Sequence, residues 1–280
     1  MKKILLPTDF SENARNAIAY AQHLFKDETV TFYLLHSYTP PIYHTEYVLH
    51  SPSQIGLDDF YQTNAAMRLE TLKDTLQKEF NNPRHTFVCR AAFNTVLHEI
   101  RAVVQHEDID GIVMGTKGAT AAREILFGST TVHVIKKSDC PVLAIPKGFT
   151  YEKPMEILFP TDYEIDYTKE QFNMLLQLIQ LHKSRIHVLH VSSQGLTDMQ
   201  WGNKANLKKV LGKGTHLCHD VPDNDLLSAI NNFQWEHKMN LLVMVRNKHN
   251  FFERLFLGSV IKKIGLHVNI PFLVFPFEKK

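Results

Sequence analysis

The sequence predicts an α/β protein built from two copies of one unit, each a five-stranded parallel sheet with helices on both faces. Apolar segments of strand length alternate with amphipathic segments of helical length, which is the pattern of a sheet with crossover helices. Strand segments such as Ile112-Val113-Met114 are apolar and β-branched, as in strands buried on both faces. The length of 280 residues also fits two domains better than one.

An internal repeat divides the chain. The segment ILLPTD at 4–9 recurs as ILFPTD at 157–162, and PVLAIP at 141–146 recurs as PFLVFP at 271–276. The spacing between these markers makes the second copy about 23 residues shorter, and the missing residues lie between its second and third strands. The domains are therefore predicted at 1–147 and 151–280.

Each copy is predicted to run strand, helix, strand, long helical segment, strand, helix, strand, glycine loop, helix, strand. In the first copy Ile4-Leu5-Leu6 begins strand one, and Ser11 before an Ala-rich run is a better helix N-cap than Asp9. The later elements follow from their apolar spacing: strands at 31–36, 86–90, 112–114 and 141–146, and helices at 58–80 and 131–137.

A glycine-rich segment follows strand four. Gly115, Gly118 and Gly128 are spaced as Gly-x2-Gly-x9-Gly, and Ser129 and Thr130 come directly before a helical pattern. Glycine leaves backbone amides uncovered, and a helix N-terminus offers unpaired amides and a positive dipole end to an anion. The order strand, glycine loop, helix therefore predicts a phosphate site. The structural alternative is that these glycines only permit tight turns.

Three strand ends are predicted to meet at one crevice, because ligands of open α/β sheets bind beyond the carboxyl ends of the strands, where strand order reverses. Pro7-Thr8-Asp9 ends strand one, His36-Ser37 ends strand two, and Met114-Gly115 ends strand four.

Composition excludes several classes of function. A net charge of +2 gives no reason to expect nucleic acid as a partner, and no apolar run approaches a membrane span, so membrane insertion is not expected. The short apolar run after Met1 does not form a signal peptide. Three scattered cysteines do not form a disulfide framework, which predicts a cytoplasmic protein.

These motifs together resemble the universal stress protein family in its tandem, ATP-binding form. The resemblance is carried by KKILLPTDFSE at 2–12, IVMGTKG at 112–118, Gly128-Ser129-Thr130, and VIKKSDCPVL at 134–143. It spans nearly all of residues 1–147 and is weaker but collinear over 154–276. The fold that it implies is a pair of Rossmann-like domains of the adenine nucleotide alpha hydrolase type.

The resemblance implies that the first domain binds ATP, ADP or AMP. Asp9 would contact the nucleoside, with Pro7 and Thr8 shaping the wall, and the backbone at Ser37 would meet adenine. The remaining positions carried over are Met114 and Gly115 against adenine and ribose, Gly118 near the phosphates, and Gly128, Ser129 and Thr130 on the triphosphate. A magnesium or manganese ion would bridge the phosphates and be held mostly by the nucleotide.

The second copy departs from this pattern although it keeps Asp162. Val245 stands at the position of Gly115 and Lys248 at that of Gly118, so this half is expected to be a non-binding twin. In the family the last strand pairs across the dimer interface, which implies pairing of 141–146 with 271–276 in an internal pseudo-dimer. The sequence also leaves open whether the chain forms a homodimer and whether it binds a further protein partner.

The chain is expected to be a nucleotide-responsive regulatory or stress-resistance protein and not an enzyme. No Ser-His-Asp or Cys-His arrangement is recognised, so any ATP hydrolysis should be slow and incidental. Two alternatives are a weak ATPase or nucleotidyl-transfer enzyme, and a nucleotide-free dimerising scaffold. The histidine-rich strands of the second copy suggest a metal site. His187 and His190 lie three apart and point to opposite faces, whereas His190 could converge with His216 or Cys218; structural roles are favoured.

Overall fold

The structure is a computed structural model that describes residues 1–38, 57–116, 127–212, 214, 216–223, 225–246 and 269–277. In the first half the elements are β1 (Lys2–Pro7), α1 (Glu12–Leu24), β2 (Val30–Tyr38), α2 (Leu57–Phe80), β3 (His85–Phe93), α3 (Val96–Glu107), β4 (Gly111–Gly115), α4 (Ser129–Lys137) and β5 (Val142–Ile145). In the second half they are β6 (Glu156–Pro160), α5 (Asn173–His182), β7 (Arg185–Val191), α6 (Asp198–Leu211), β8 (His216–Val221), α7 (Leu226–Glu236), β9 (Leu241–Arg246) and β10 (Phe272–Pro276).

The ten described strands form one sheet in the order β3-β2-β1-β4-β5-β10-β9-β6-β7-β8. Within each half all pairs are parallel, and the order of the first half is repeated in the second. The α/β fold with five parallel strands in each half is therefore confirmed. The reversal of strand order beside β1 places a crevice at the carboxyl ends of β1 and β4.

The two proline-bounded strands join the halves. β5 and β10 pair antiparallel, with Ala144 opposite Phe272 and Val142 opposite Val274. Because this junction is antiparallel, the carboxyl strand ends of the two halves lie at opposite edges of the sheet.

Helices cover both faces of the sheet, as the sequence predicts. Successive strand residues point to opposite faces, so Ile4 and Leu6 share a buried cluster with residues of α1 and α2, while Leu5 shares the other cluster with residues of α3 and α4. Each face carries one cluster of buried apolar side chains that includes residues from both halves. The N-cap of α1 is Ser11, whose hydroxyl accepts from the amide of Ala14.

No helix among the described residues combines the length and hydropathy needed to cross a membrane.

Candidate functional site

A cleft of about 120 Å³ lies at the carboxyl ends of β1, β2 and β4. It is lined by Pro7, Thr8, Asp9, Ala14, Leu35, Ser37, Val96, Met114, Gly115, Thr130 and Thr131. Among the described residues of this lining, Asp9 is the only one with an ionisable side chain. Six sequence-predicted residues from the three strand ends are therefore brought together with Thr130 at the start of α4.

The end of β1 turns sharply at Asp9. The amide of Thr8 donates to the carbonyl of Leu35 at 2.8 Å, which fixes β1 against β2. The hydroxyl of Thr8 accepts from the amide of Phe10 at 3.0 Å, and Phe10 has a φ of 63°, in the left-handed region. Oδ1 of Asp9 accepts from the amide of Ser11 at 3.0 Å. The turn holds the carboxylate at the exposed rim of the cleft.

A histidine behind the cleft supports this turn. Nδ1 of His36 lies 2.8 Å from the carbonyl oxygen of Thr8, and its ring packs 4.5 Å from the ring of Phe10. Burial lowers the pKa of His36, so the imidazole is neutral near pH 7 and donates from Nδ1. The guanidinium of Arg68 covers the Phe10 ring at 3.9 Å. Together these groups fix the backbone on which Asp9 sits.

The end of β2 contributes backbone to the cleft. The hydroxyl of Ser37 donates to the carbonyl of Asn94, which ties β2 to the loop before α3. The side chain of Ser37 therefore has a structural partner.

α4 begins beside the end of β4. The amide of Gly128 donates to the carbonyl of Thr116 at 2.7 Å, and the hydroxyl of Thr131 donates to the carbonyl of Gly115 at 2.9 Å. The predicted helix therefore starts at Ser129, with its first turn directed toward the cleft. Gly118 lies outside the described residues.

Two glycines of the motif differ in what they do. A Cβ on Gly115 would lie 3.1 Å from the backbone oxygen of Asn13, so this glycine lets β4 and α1 approach closely. Gly128 is the N-cap of α4 with φ −62° and ψ 155°, angles that any residue adopts. Backbone strain does not require glycine there. A glycine cap supplies no side-chain acceptor, unlike Ser11 on α1, and leaves the first amides of α4 uncovered.

The second half repeats the turn that ends β1. The hydroxyl of Thr161 accepts from the amide of Tyr163 at 3.0 Å, and Tyr163 has a φ of 56°. Nδ1 of His190 lies 2.9 Å from the carbonyl of Thr161, and the rings of Tyr163 and His190 are 5.1 Å apart. The pKa of Asp162 is raised by burial. An aromatic residue stands at 10 and 163, and a histidine stands at 36 and 190. This recurrence is the sequence signal that could have identified Phe10 and His36.

The end of β9 differs from the end of β4. Val245 is buried at the position of Gly115, and Arg246 donates from Nη1 to the carbonyls of Ile135 and Ser138 at the end of α4. This edge of the second half therefore contacts the first half. Lys248, Gly258 and Ser259 lie outside the described residues.

The histidines of β7 and β8 form a hydrogen-bonded group. Nδ1 of His187 lies 3.1 Å from Nε2 of His219, and Nε2 of His187 donates to Glu156 at 2.8 Å. Burial, followed by the neighbouring His187 and His237, lowers the pKa of His219. In the part of the chain that the structure describes, no three His, Cys, Asp or Glu side chains are placed to hold a metal ion.

A larger cavity of about 580 Å³ lies between the halves. Four acidic side chains line it, namely Asp110, Asp139, Asp166 and Glu170. Lys2 is the one cation among the described lining residues, and it is paired with Glu28. Negative potential from these carboxylates opposes a phosphate, so size alone does not make this cavity the better anion site.

Comparison with known proteins agrees with the fold. The profile of the universal stress protein family matches residues 1–146, slightly more than half of the chain. Universal stress protein MJ0577 of Methanocaldococcus jannaschii is 27% identical over 154 residues, which cover 52% of this chain and 95% of that protein. Universal stress protein Slr1230 of Synechocystis is 25% identical over 296 residues, covering 98% of this chain and 100% of that protein.

A solved structure extends the likeness to both halves. The crystal structure of a universal stress protein from Archaeoglobus fulgidus covers 97% of this chain and 95% of its own, with a TM-score of 0.67 and 17% identity. At that identity the match shows the fold alone. Together with the family profile over the first half, it leads to one conclusion: the chain belongs to the universal stress protein family.

Proposed function

We propose that the first half binds one adenine nucleotide, ATP or its products ADP and AMP, and that the protein is a nucleotide-responsive regulator. The observation that carries this proposal is the cleft at the ends of β1, β2 and β4, where the Asp9 carboxylate and the first turn of α4 converge. A nucleotide has groups that match both: hydrogen-bond donors on the nucleoside and negative charge on the phosphates.

The phosphates would bind at the start of α4. Its first-turn amides have no N-cap side chain bonded to them, because the cap is Gly128. The positive end of the helix dipole favours an anion at this place. Ser129 and Thr130 add hydroxyl groups beside these amides. The family motif Gly-x2-Gly-x9-Gly-Ser in this chain supports the same assignment.

The nucleoside would lie against the strand ends. A carboxylate such as Asp9 accepts hydrogen bonds from ribose hydroxyls or from the adenine amine. Met114 and Leu35 give the cleft apolar contacts for a flat base. Because the Ser37 hydroxyl bonds Asn94, adenine would meet the backbone at this position. A magnesium or manganese ion would be held mainly through phosphate oxygens, since Asp9 is the only carboxylate in the described lining.

We infer that this site binds without rapid turnover. Phosphoryl transfer needs a group that positions the nucleophile, a firmly held metal and stabilisation of the developing charge. The described lining of the cleft contains Asp9 but no histidine, lysine or arginine. The protein would then act through contacts with a partner that respond to the bound nucleotide.

Thermal unfolding with added ATP tests the proposal. A ligand that binds only the folded state stabilises it by about 2.7 kcal/mol at a hundredfold excess over Kd. We expect millimolar ATP to raise the melting temperature of the wild type and of Asp162→Ala, but not of Asp9→Ala. Asp162→Ala is a matched control for Asp9→Ala, because each aspartate accepts a hydrogen bond from the amide two residues later. The proposal fails if ATP stabilises none of the three, and phosphate release abolished by Asp9→Ala would favour the ATPase alternative.

A further inference from the structure

The helix at the proposed phosphate site is held at both of its ends. At its start, the Gly128 amide and the Thr131 hydroxyl bond the carbonyls of Thr116 and Gly115, which belong to the same half. At its end, the bonds come from the other half: Nη1 of Arg246 donates to Ile135 at 2.7 Å and to Ser138 at 3.0 Å. The last carbonyls of a helix lack partners within the helix, so an added donor stabilises this end.

Charge adds to these two hydrogen bonds. The carboxyl end of a helix carries partial negative charge, and a cation there is stabilising. Arg246 is half-buried, and this burial lowers its pKa although Asp139 acts in the opposite direction. A partly buried charged donor that bonds two carbonyls makes a stronger contact than an exposed ion pair does.

The strand pairing explains how Arg246 of the second half comes to lie beside α4 of the first half. Arg246 ends β9, which pairs with β10, and β10 pairs with β5 of the first half. In the repeat, Arg246 corresponds to Thr116, the residue whose carbonyl bonds Gly128 at the start of α4. Thr116 and Arg246 occupy the same position of the repeat. Thr116 of the first half contacts the start of α4, and Arg246 of the second half contacts its end.

We propose that Arg246 is a positioning residue for the nucleotide site: it holds α4 so that the first turn of the helix faces the phosphates. A helix of nine residues is only about 13 Å long, so a change of tilt at its carboxyl end also moves its amino end. The second half thereby contributes to a site that it does not itself contain. This inference rests on the nucleotide site proposed above.

Isothermal titration with ATP and with adenosine tests the inference, because adenosine has no phosphate to contact α4. We expect Arg246→Ala to weaken ATP binding about fivefold or more, within the usual range of coupling between separate sites, and to leave adenosine binding unchanged. Arg246→Lys, which restores the charge, should bind ATP with intermediate affinity. The control is Arg185→Ala, which removes a positive charge from the same half away from α4 and should bind both ligands as the wild type does.

Each outcome decides the matter. Equal ATP affinity in wild type and Arg246→Ala overturns the inference, and so does an equal loss for ATP and adenosine, which indicates general structural damage. If circular dichroism shows that Arg246→Ala is unfolded, Arg246→Lys is used instead. A lower ratio of ATP affinity to adenosine affinity than in the wild type then supports the inference, and an unchanged ratio overturns it. If the wild type binds neither ligand, the proposed nucleotide function itself fails, and this result is distinct from the others.

Discussion

Nδ1 of His36 donates a hydrogen bond to the carbonyl oxygen of Thr8 at 2.8 Å, and the same contact joins His190 to Thr161 in the second half at 2.9 Å. Each bond ties the second strand of its half to the turn that ends the first strand. The next residue is an aspartate in both halves. The support for this aspartate is therefore present in both halves, and in the first half the glycine-capped start of α4 lies at the same cleft.

The pair of histidines offers a matched test of local function. His36→Val removes the donor to a carbonyl beside Asp9, and an unsatisfied buried acceptor costs about 1–3 kcal/mol. We expect this variant to lose stability in urea and to bind ATP more weakly. His190→Val should lose similar stability but bind ATP normally. Equal ATP affinity in the two variants would contradict the placement of the nucleotide.

Gly115 should not tolerate a side chain. Its Cβ would approach the backbone oxygen of Asn13 at 3.1 Å, and backbone cannot move aside as a flexible side chain can. Gly115→Ala is therefore expected to lower the free energy of unfolding by about 1–3 kcal/mol, the usual cost of overpacking. Urea denaturation measures the change. A variant as stable as the wild type would show that α1 and β4 are not in close contact.

Gly202 should behave in the opposite way. It lies in the second turn of α6, and an added Cβ would meet no atom within 4 Å other than its chain neighbours and the backbone of its own helix. Glycine in a helix is less favourable than alanine by about 0.5–1 kcal/mol. Gly202→Ala is expected to raise the free energy of unfolding by that amount. A decrease in the same urea experiment would mean that this part of α6 is not an open helical surface.

Mild acid should destabilise the protein through histidines whose pKa is lowered by burial, one of them buried and one half-buried. Nε2 of His182 bonds the carbonyl of Leu24 at 3.0 Å, and burial lowers the pKa values of His182 and His36. In the unfolded chain each takes up a proton near pH 6.5, so below about pH 6.5 the unfolded state binds more protons. The free energy of unfolding then falls as the pH falls.

Urea midpoints at about pH 7.5 and pH 5.5 measure this dependence. We expect a lower midpoint at the acidic value, because histidines titrate in this interval and ordinary carboxylates titrate below it. His182→Gln keeps a donor for Leu24 but cannot gain a proton, so its midpoint should change less. Equal midpoints of the wild type at the two pH values would contradict neutral, buried histidines.

Much of the fold could be predicted from the sequence because its signals are local and repeated. Apolar runs such as residues 4–6 identify the strands, and the recurrence of ILLPTD as ILFPTD identifies the two halves. Ser11 as N-cap and the start of α4 after Gly128 also follow from local patterns. These features depend on a few neighbouring residues.

The contacts between distant residues could not be predicted in this way. The Arg246 side chain contacts α4 because β5 and β10 pair and bring the two halves together, and this pairing exists only in the folded sheet. The close approach of α1 to Gly115, which leaves no room for a Cβ, is likewise a contact between residues far apart in the sequence. The repeat places an aromatic residue at 10 and 163 and a histidine at 36 and 190, which marks these positions in the sequence, but a helix separates the two members of each pair and their contact follows only from the fold.

We propose one nucleotide per chain, bound in the first half. Native mass spectrometry of the purified protein with ATP counts bound nucleotides per chain directly. We expect one ATP per chain in the wild type and in Asp162→Ala, and none in Asp9→Ala. Two ATP molecules per wild-type chain, or one that persists in Asp9→Ala and disappears in Asp162→Ala, would contradict the account.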